Sequence, residues 1–490
     1  RTNYGRGHFS AVFDPTPKHT AGFDIEYTER STHMPTLSRT TLGQTQSDSR
    51  YRQHMDGNTL TATANYIWKI DTLGSQFKLI ADYTRYTSDG DNSYHTTTCA
   101  PGTLRDSLYE SATGSVYDIL TADAGLTRKL PHGLTLRAGL RYTRNDMADK
   151  SRYAAQTQGT WLALPEYSYD QHYTEQIGAA YASLEYSAGR WELSAGLRGE
   201  YTSVASQAFG RSYFGLFPNV SVSRALNALR TWLLVAQWSR NIERPAFPAL
   251  NPARIRISDY SWQSGNPSLR PTYIHRFSLT AVWKYRYTLT VGGNLHHDLI
   301  REIAHRDATA PDAVYIRPEN HYTENHWFVA ASVPAKITRW WNLSVNAVGV
   351  MQRIRLNSTD SPATHYLMFA DATCSFTLPA GFFAEAVYRA QSRLYSGNSE
   401  VGPRHTLSAT VKKQLFGKRL TLFCTLSNIT GCDWEFASLT DGMRRTIDTG
   451  QAWSGRLWKV GAAWNFRTGK KFRARTVESA AETPVSYTHL

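Results

Sequence analysis

Sixteen histidines and four cysteines are the side chains of this 490-residue chain best suited to metal or nucleophile chemistry. Their spacing does not assemble either. Cys99, Cys374, Cys424 and Cys432 form no CxxC pair and imply no zinc site. Cys424 and Cys432 could bridge across a loop mouth in an oxidising compartment, and four free thiols are the alternative. His296 and His297 are adjacent, so on a strand they point to opposite faces, and His321 and His326 do the same if the chain is extended. No GxSxG, HExxH or phosphate-loop glycine pattern occurs, so the chain reads as a non-enzyme without a cofactor. Recognition chemistry remains. Arg254, Arg256, Tyr260 and Trp262 share one long connection, and aromatic faces stack on sugars while guanidinium groups grip anions. These four are the candidate ligand contacts. Arg137, Arg141, Glu192, Arg198 and Glu200 alternate with apolar residues and read as an interior, solvated charge network.

The elements that must position these groups are strands. Leu134, Leu136, Ala138, Leu140 and Tyr142 fall on one face, with Thr135, Arg137, Gly139, Arg141 and Thr143 on the other. Trp191, Leu193, Ala195, Leu197 and Tyr201 oppose Glu192, Ser194, Arg198 and Glu200 in the same way. The runs Trp341–Ala347 and Thr406–Lys412 repeat the pattern. A helix would scatter these polar residues round a 3.6-residue period. No stretch reaches the roughly 18 consecutive apolar residues of a membrane helix.

Connections carry the fold argument. Tight ones stand at Asp14–Lys18, Pro131–Gly133, Ala188–Arg190, Pro379–Gly381 and Gly417–Arg419, each with Gly, Pro or Asp to supply the turn. Long polar connections are expected at roughly residues 31–57, 88–113, 146–170, 244–271 and 431–449. Short alternating with long is the rhythm of a transmembrane antiparallel β-barrel, with periplasmic turns and extracellular loops. Aromatics beside the tight turns read as an interfacial girdle: Tyr66 and Trp68, Tyr186 and Trp191, Trp283 and Tyr287, Trp340 and Trp341, Phe382 and Phe383. The fold class is therefore all-β, with about nineteen strands present of a barrel of about 22. An odd count would send the first and last strands the same way, so at least one more strand is expected upstream. Composition agrees. Aromatics are 12% of the chain and charged residues 19%, with a net charge of +14. That charge reads as a basic rim or tail facing anionic lipid. Nucleic acid is a poor fit, since only Arg467 to Arg475 forms a dense basic run.

Two stretches carry a family resemblance. Arg244-Pro-Ala-Phe-Pro-Ala-Leu-Asn-Pro252, then Gly265-Asn-Pro-Ser-Leu-Arg-Pro271, resembles a series found between two strands of outer-membrane β-barrels related to TonB-dependent receptors. From the residues alone, its prolines stiffen the connection and bar it from the sheet. Lys459-Val-Gly461-Ala-Ala-Trp464-Asn-Phe466 resembles the C-terminal signal read by the barrel-assembly machinery, with Lys459, Gly461, Trp464 and Phe466 at its fixed positions. In many barrels the last aromatic ends the chain, whereas 24 residues follow Phe466 here.

The resemblance implies a barrel over residues 1–466 and a basic periplasmic tail over 467–490, the last residues of which read as non-native. It implies import of a scarce small solute across the Gram-negative outer membrane, with outer-membrane lipid, the TonB complex and the barrel-assembly machinery as partners. The plug and the TonB-contacting segment of complete members are expected upstream of Arg1, where the chain opens without methionine or signal segment. Two other readings stand beside it: a plug-less passive pore or surface-binding barrel, and a soluble β enzyme.

Overall fold

The computed structural model describes residues 2–207, 209–258, 260–307, 313–359, 361–440, 443–449 and 455–466. The basic run and tail from Arg467 onward lie outside the described residues. Among the described residues, twenty-two strands share one hydrogen-bonded sheet, three of them inside connections, so nineteen follow one another round the wall. The first ten are β1 (Thr2–Thr16), β2 (His19–Leu42), β3 (Thr45–Lys69), β4 (Gln76–Ala100), β5 (Thr103–Lys129), β6 (Leu134–Thr157), β7 (Tyr169–Ala188), β8 (Trp191–Ser206), β9 (Gly210–Ala225) and β10 (Trp232–Glu243). The rest are β11 (Thr272–Trp283), β12 (Tyr287–Arg306), β13 (Val314–Lys336), β14 (Trp341–Arg355), β15 (Ala363–Leu378), β16 (Phe382–Gln391), β17 (Arg404–Leu415), β18 (Leu420–Ser427) and β19 (Leu457–Trp464). Each pairs antiparallel with the next. The count expected from the sequence rhythm is met.

The wall is polar inside and apolar outside. Thr63, Asp82, Thr121, Thr202 and Glu324 are buried, while Leu140, Leu197, Phe214, Val329 and Val460 are exposed. Lipid solvates the second set. Inner-face groups satisfy one another across strands: Thr63 donates to Asp82 at 2.6 Å, Ser332 to Asn346 at 2.6 Å, and Thr410 and Thr425 meet at 3.0 Å. Exposed Trp68, Trp191, Trp283, Trp340 and Phe382 stand beside the tight turns. Trp327 and Tyr366, also exposed, mark the far edge of the apolar band on β13 and β15.

The tight turns form as their residues require. In Pro131-His132-Gly133 and Pro379-Ala380-Gly381 the middle residue has φ of 60° and 57° and the glycine 76° and 77°. A Cβ on Gly133 would lie 2.2 Å from the Ser187 carbonyl oxygen, so no other residue fits there.

Three of the expected long connections are corrected. Residues 31–57 belong to β2 and β3, which pair from His19–Trp68 to Leu42–Thr45. Residues 88–113 belong to β4 and β5, paired out to Ala100–Thr103. β6 runs to Thr157 and turns back through the short strand Thr160–Ala163 before β7 begins. Beyond the membrane both sheet faces meet water, so polar residues fill both and the alternation fades. The backbone ladder continues regardless.

Connections 244–271 and 431–449 have structure of their own. The first contains the hairpin Arg254–Ser258 and Ser261–Ser264. The second contributes Trp434–Thr440 and Met443–Thr449 to a separate four-stranded sheet with Leu394–Ser396 and Ser399–Val401. All four cysteines are free thiols, so the Cys424–Cys432 bridge is not formed. Cys424 is a wall residue opposite Val411 and Val460.

Candidate functional site

The connection between β10 and β11 folds back against the inner wall. Its first residue, Arg244, donates to Glu200 at 2.5 Å and to Thr202 at 3.0 Å, both on β8. Pro245 and Pro248 bar strand pairing, and one helical turn, Phe247–Leu250, forms with proline in its first positions. That turn delivers Phe247 and Leu250 into an apolar cluster with Leu269 from the same connection and with Tyr173 and Val204 from the wall. Tyr117 on β5 meets the Phe247 ring edge-on, with centroids 6.3 Å apart.

The second half of the motif locks onto the first. Gly265 N–H donates to the Asn251 carbonyl at 2.7 Å and Asn266 N–H to Ala249 at 2.6 Å. A Cβ on Gly265 would stand 2.3 Å from the Asn251 oxygen, so the glycine is set by close approach. Arg211 donates to the Leu269 carbonyl. Asn320 on β13 accepts from Arg270 N–H and donates to its carbonyl, each at 2.9 Å. The prolines keep the two halves of the motif out of the sheet and free them to form an inward-folded brace. The expectation that the whole connection is barred from pairing is corrected, since the hairpin between them, at 254–264, pairs.

The candidate ligand contacts sit on the hairpin that this brace carries. Ser261, Trp262 and Gln263 pair in parallel with Val314, Tyr315 and Ile316 of β13. The Arg256 guanidinium lies 3.8 Å from the centre of the Tyr109 ring and 5.1 Å from that of Trp262. Trp262 stacks on Tyr167 at 5.1 Å, and Arg254 stands 3.8 Å from Asp307. The Tyr260 carbonyl accepts from Val314 N–H at 2.9 Å. Tyr109 ends a cross-strand row with Tyr94 and Tyr51, the last two stacked at 4.5 Å. Burial pushes the Tyr94 and Tyr153 hydroxyls above the usual phenol range, so both stay protonated as hydrogen-bonding phenols beside the arginines. The structure therefore brings Arg256 and Trp262 together, with Arg254 and Tyr260 on the same hairpin.

Of the expected interior charges, Arg137 pairs with Glu185 at 2.8 Å, Arg198 bonds Glu200, and Glu200 is buried beneath Arg244. Arg141 shares the inner face with Arg137 on β6, and Glu192 lies at the start of β8.

A second centre was not legible in the sequence. Glu324 on β13 is fully buried, three residues beyond Trp327 and so outside the apolar band. Its carboxylate accepts from His326 at 2.8 Å, from Gln352 at 2.8 Å, from Arg301 at 3.0 Å and from His321 at 3.2 Å. The expectation that His321 and His326 diverge is corrected. His321 and Glu324 are both buried while Tyr322 between them is exposed, so the strand departs from strict alternation there. His296 turns inward and meets the Glu324 carbonyl at 2.8 Å, while His297 is exposed beside Asp298. Among the described residues no three His, Cys, Asp or Glu side chains are arranged to hold a metal ion. Arg301 already supplies the cation that Glu324 faces. Burial acts to raise the Glu324 carboxyl, but His321, His326 and Arg301 outweigh it and hold it well below the usual range.

Burial lowers His296 from its ordinary 6.5 to about 4. The folded state therefore binds fewer protons than the unfolded chain between those values, and stability falls as pH drops through that window. His296→Gln is expected to flatten this slope, read as the unfolding midpoint by heat-modifiability at each pH. An unchanged slope would count against a neutral buried imidazole.

At the C-terminal motif, Lys459 and Gly461 share one face of β19 and Trp464 takes the other. The Phe423 ring covers Gly461, where a Cβ would meet it at 2.4 Å. Phe466 follows the strand end, exposed, with its ring centre 6.3 Å from that of Trp464.

A family model described as the outer membrane protein beta-barrel family matches residues 68–456. The chain is similar in structure to the closed form of the ferric-catecholate import receptor Fiu from K12 E. coli. Identity is 10% and the TM-score 0.59, covering 94% of this chain and 80% of that one. It is also similar to the copper transporter OprC, at 12% identity and a TM-score of 0.58, covering 95% and 79%. No curated protein matches the sequence. At these identities the likeness is one of fold.

Proposed function

Because this chain belongs to the outer membrane protein beta-barrel family, we propose that it is the barrel of an active importer, driven through TonB, that brings a scarce small solute across the outer membrane. The observation that carries this reading is the brace at 244–271, which folds into a polar lumen and holds an arginine and aromatic hairpin there. The receptors of similar fold are named for a ferric catecholate and for copper, and a chelated or free metal ion is a fitting solute class. In this reading the barrel works together with a plug domain and a TonB-contacting segment.

Energy dependence tests it. Cells expressing the protein are expected to accumulate the solute only while the proton-motive force is maintained. Uptake that survives its collapse, together with steady conductance in planar bilayers, would transfer the case to the passive pore.

Arg254, Arg256, Tyr260 and Trp262 are proposed as contacts for the incoming solute. Tyr260→Ala with Trp262→Ala is expected to weaken binding about tenfold or more, the loss of one stacking surface and its neighbour. Equal binding by isothermal titration would remove the hairpin from the site. For assembly, we propose that Lys459, Gly461, Trp464 and Phe466 engage the barrel-assembly machinery. Trp464→Ala with Phe466→Ala should lower the heat-modifiable, membrane-inserted fraction several-fold. Normal insertion would leave the motif purely structural.

A further inference from the structure

A groove lies on the outer wall, within the apolar band, and the transport reading makes no use of it. It measures about 570 Å³ and spans β4, at Leu79, to β9. Its floor on β7 is Gly178 and Ala180, continued by Ala182 in the same outward row. A Cβ added to Gly178 would meet nothing within 4 Å, so the floor is open space. Leu140 and Tyr142 on β6 form one bank, and Tyr201 on β8 with Phe214 on β9 forms the other. Register puts Tyr142, Gly178 and Tyr201 in one line across the strands, and Leu140, Ala180 and Gly199 in the next.

Dimensions and polarity select the occupant. The backbones of β6 and β8 are two strand spacings apart, about 10 Å, and the small row between them leaves one trough along the strand. That width suits a single hydrocarbon chain. The end nearest the tight turns is stopped by exposed Leu184. At the other end Tyr142 donates to Gln176 at 3.0 Å. Beyond it the outward ion pairs Arg144–Asp146 at 2.8 Å and Arg85–Asp118 at 3.5 Å form a polar shelf at head-group height. The groove is continuous with the lipid-facing surface already described, so lipid is what reaches it. In a bilayer the attraction is packing, since lipid tails are as apolar as leucine.

We infer that this groove holds one acyl chain of an outer-leaflet glycolipid, with the head group on the shelf of Gln176, Arg144 and Arg85. The chain fills contacts that a disordered annular lipid would leave empty. The inference depends on the membrane placement of the wall and is independent of what passes through the lumen.

Native mass spectrometry of the protein purified from outer membranes in mild detergent tests it. The wild type is expected to retain a glycolipid at about one per barrel, and Gly178→Leu with Ala180→Leu to reduce that retention about tenfold. Both substitutions point into lipid, and an unchanged heat-modifiable band will confirm that the double variant is folded. Val329→Leu, elsewhere on the lipid face, should retain glycolipid as the wild type does. The inference is overturned by a bare wild type, by equal retention in the double variant, by a retained phospholipid instead, or by a dimer mass without lipid.

Discussion

Replacing Arg244 by alanine together with Leu269 by alanine is expected to release the brace from the wall and open the lumen while the wall stays folded. Arg244 and Glu200 retain only 20% and 9% of their side-chain exposure, so removing one partner strands a largely buried charge. Such a loss costs about 3–5 kcal/mol when no other cation is near, and less here because Arg198 also reaches Glu200. Leu269 is fully buried, and its truncation adds about 2–5 kcal/mol. The two sites belong to one docked element, so their effects couple. Both losses fall on the docking of the brace, whereas the nineteen-strand ladder does not depend on them. Limited trypsin digestion should then cut within 244–271, and planar-bilayer conductance should rise. A variant as protease-resistant and as closed as the wild type would show that the brace is held elsewhere.

The second large effect is at Glu324. Glu324→Ala leaves Arg301, His321, His326 and Gln352 without their shared acceptor in a fully buried position. The expected loss is about 3–5 kcal/mol, the range for breaking a buried ion pair from one side. Gln352 also donates to the Tyr395 carbonyl at 3.1 Å, and His365 stacks on the Tyr395 ring at 3.8 Å. The four-stranded sheet of the outer connections is thereby tied to this centre, and Asn398 ties it again through paired bonds to Ala304 at 2.7 and 2.9 Å. The heat-modifiability midpoint should fall, and hydrogen exchange should rise first around Leu394–Val401. Glu324→Gln, which keeps an acceptor but not the charge, should fall between. If Glu324→Ala melts with the wild type, the centre contributes nothing to stability.

Much of the wall was legible because a barrel writes its two solvents into adjacent residues. Leu140 and Arg141, or Leu197 and Arg198, declare opposite faces with no knowledge of their neighbours. Turns such as Pro131-His-Gly133 are equally local. The extensions at 31–57 and 88–113 were misread for the same reason: water on both sides removes the alternation, and pairing between Thr36 and Tyr51, say, leaves no mark in composition. The prolines of 244–271 announced exclusion from the sheet, which holds for the two motif halves but not for the hairpin at 254–264. They said nothing of the wall residues, Tyr173 and Val204, against which the segment packs. Glu324 was invisible because its partners Arg301 and Gln352 come from flanking strands and are set by register. His321 and His326 were assigned to opposite faces by a period that the strand does not keep.

The paired extensions of β2 to β5 carry a consequence for recognition at the cell surface. They continue about 15 residues past the last lipid-facing positions near Leu60, roughly 50 Å of strand measured along the chain. A flexible loop of that length would lose conformational freedom on engaging a partner, a cost of up to ~1.5 kcal/mol for each side chain immobilised. These hairpins are already ordered by their own ladders, so that entropy is spent during folding. Whatever docks there, a solute, a bacteriophage fibre or an antibody, meets a preorganised and discontinuous epitope, which peptides copied from residues 31–57 or 88–113 would not reproduce.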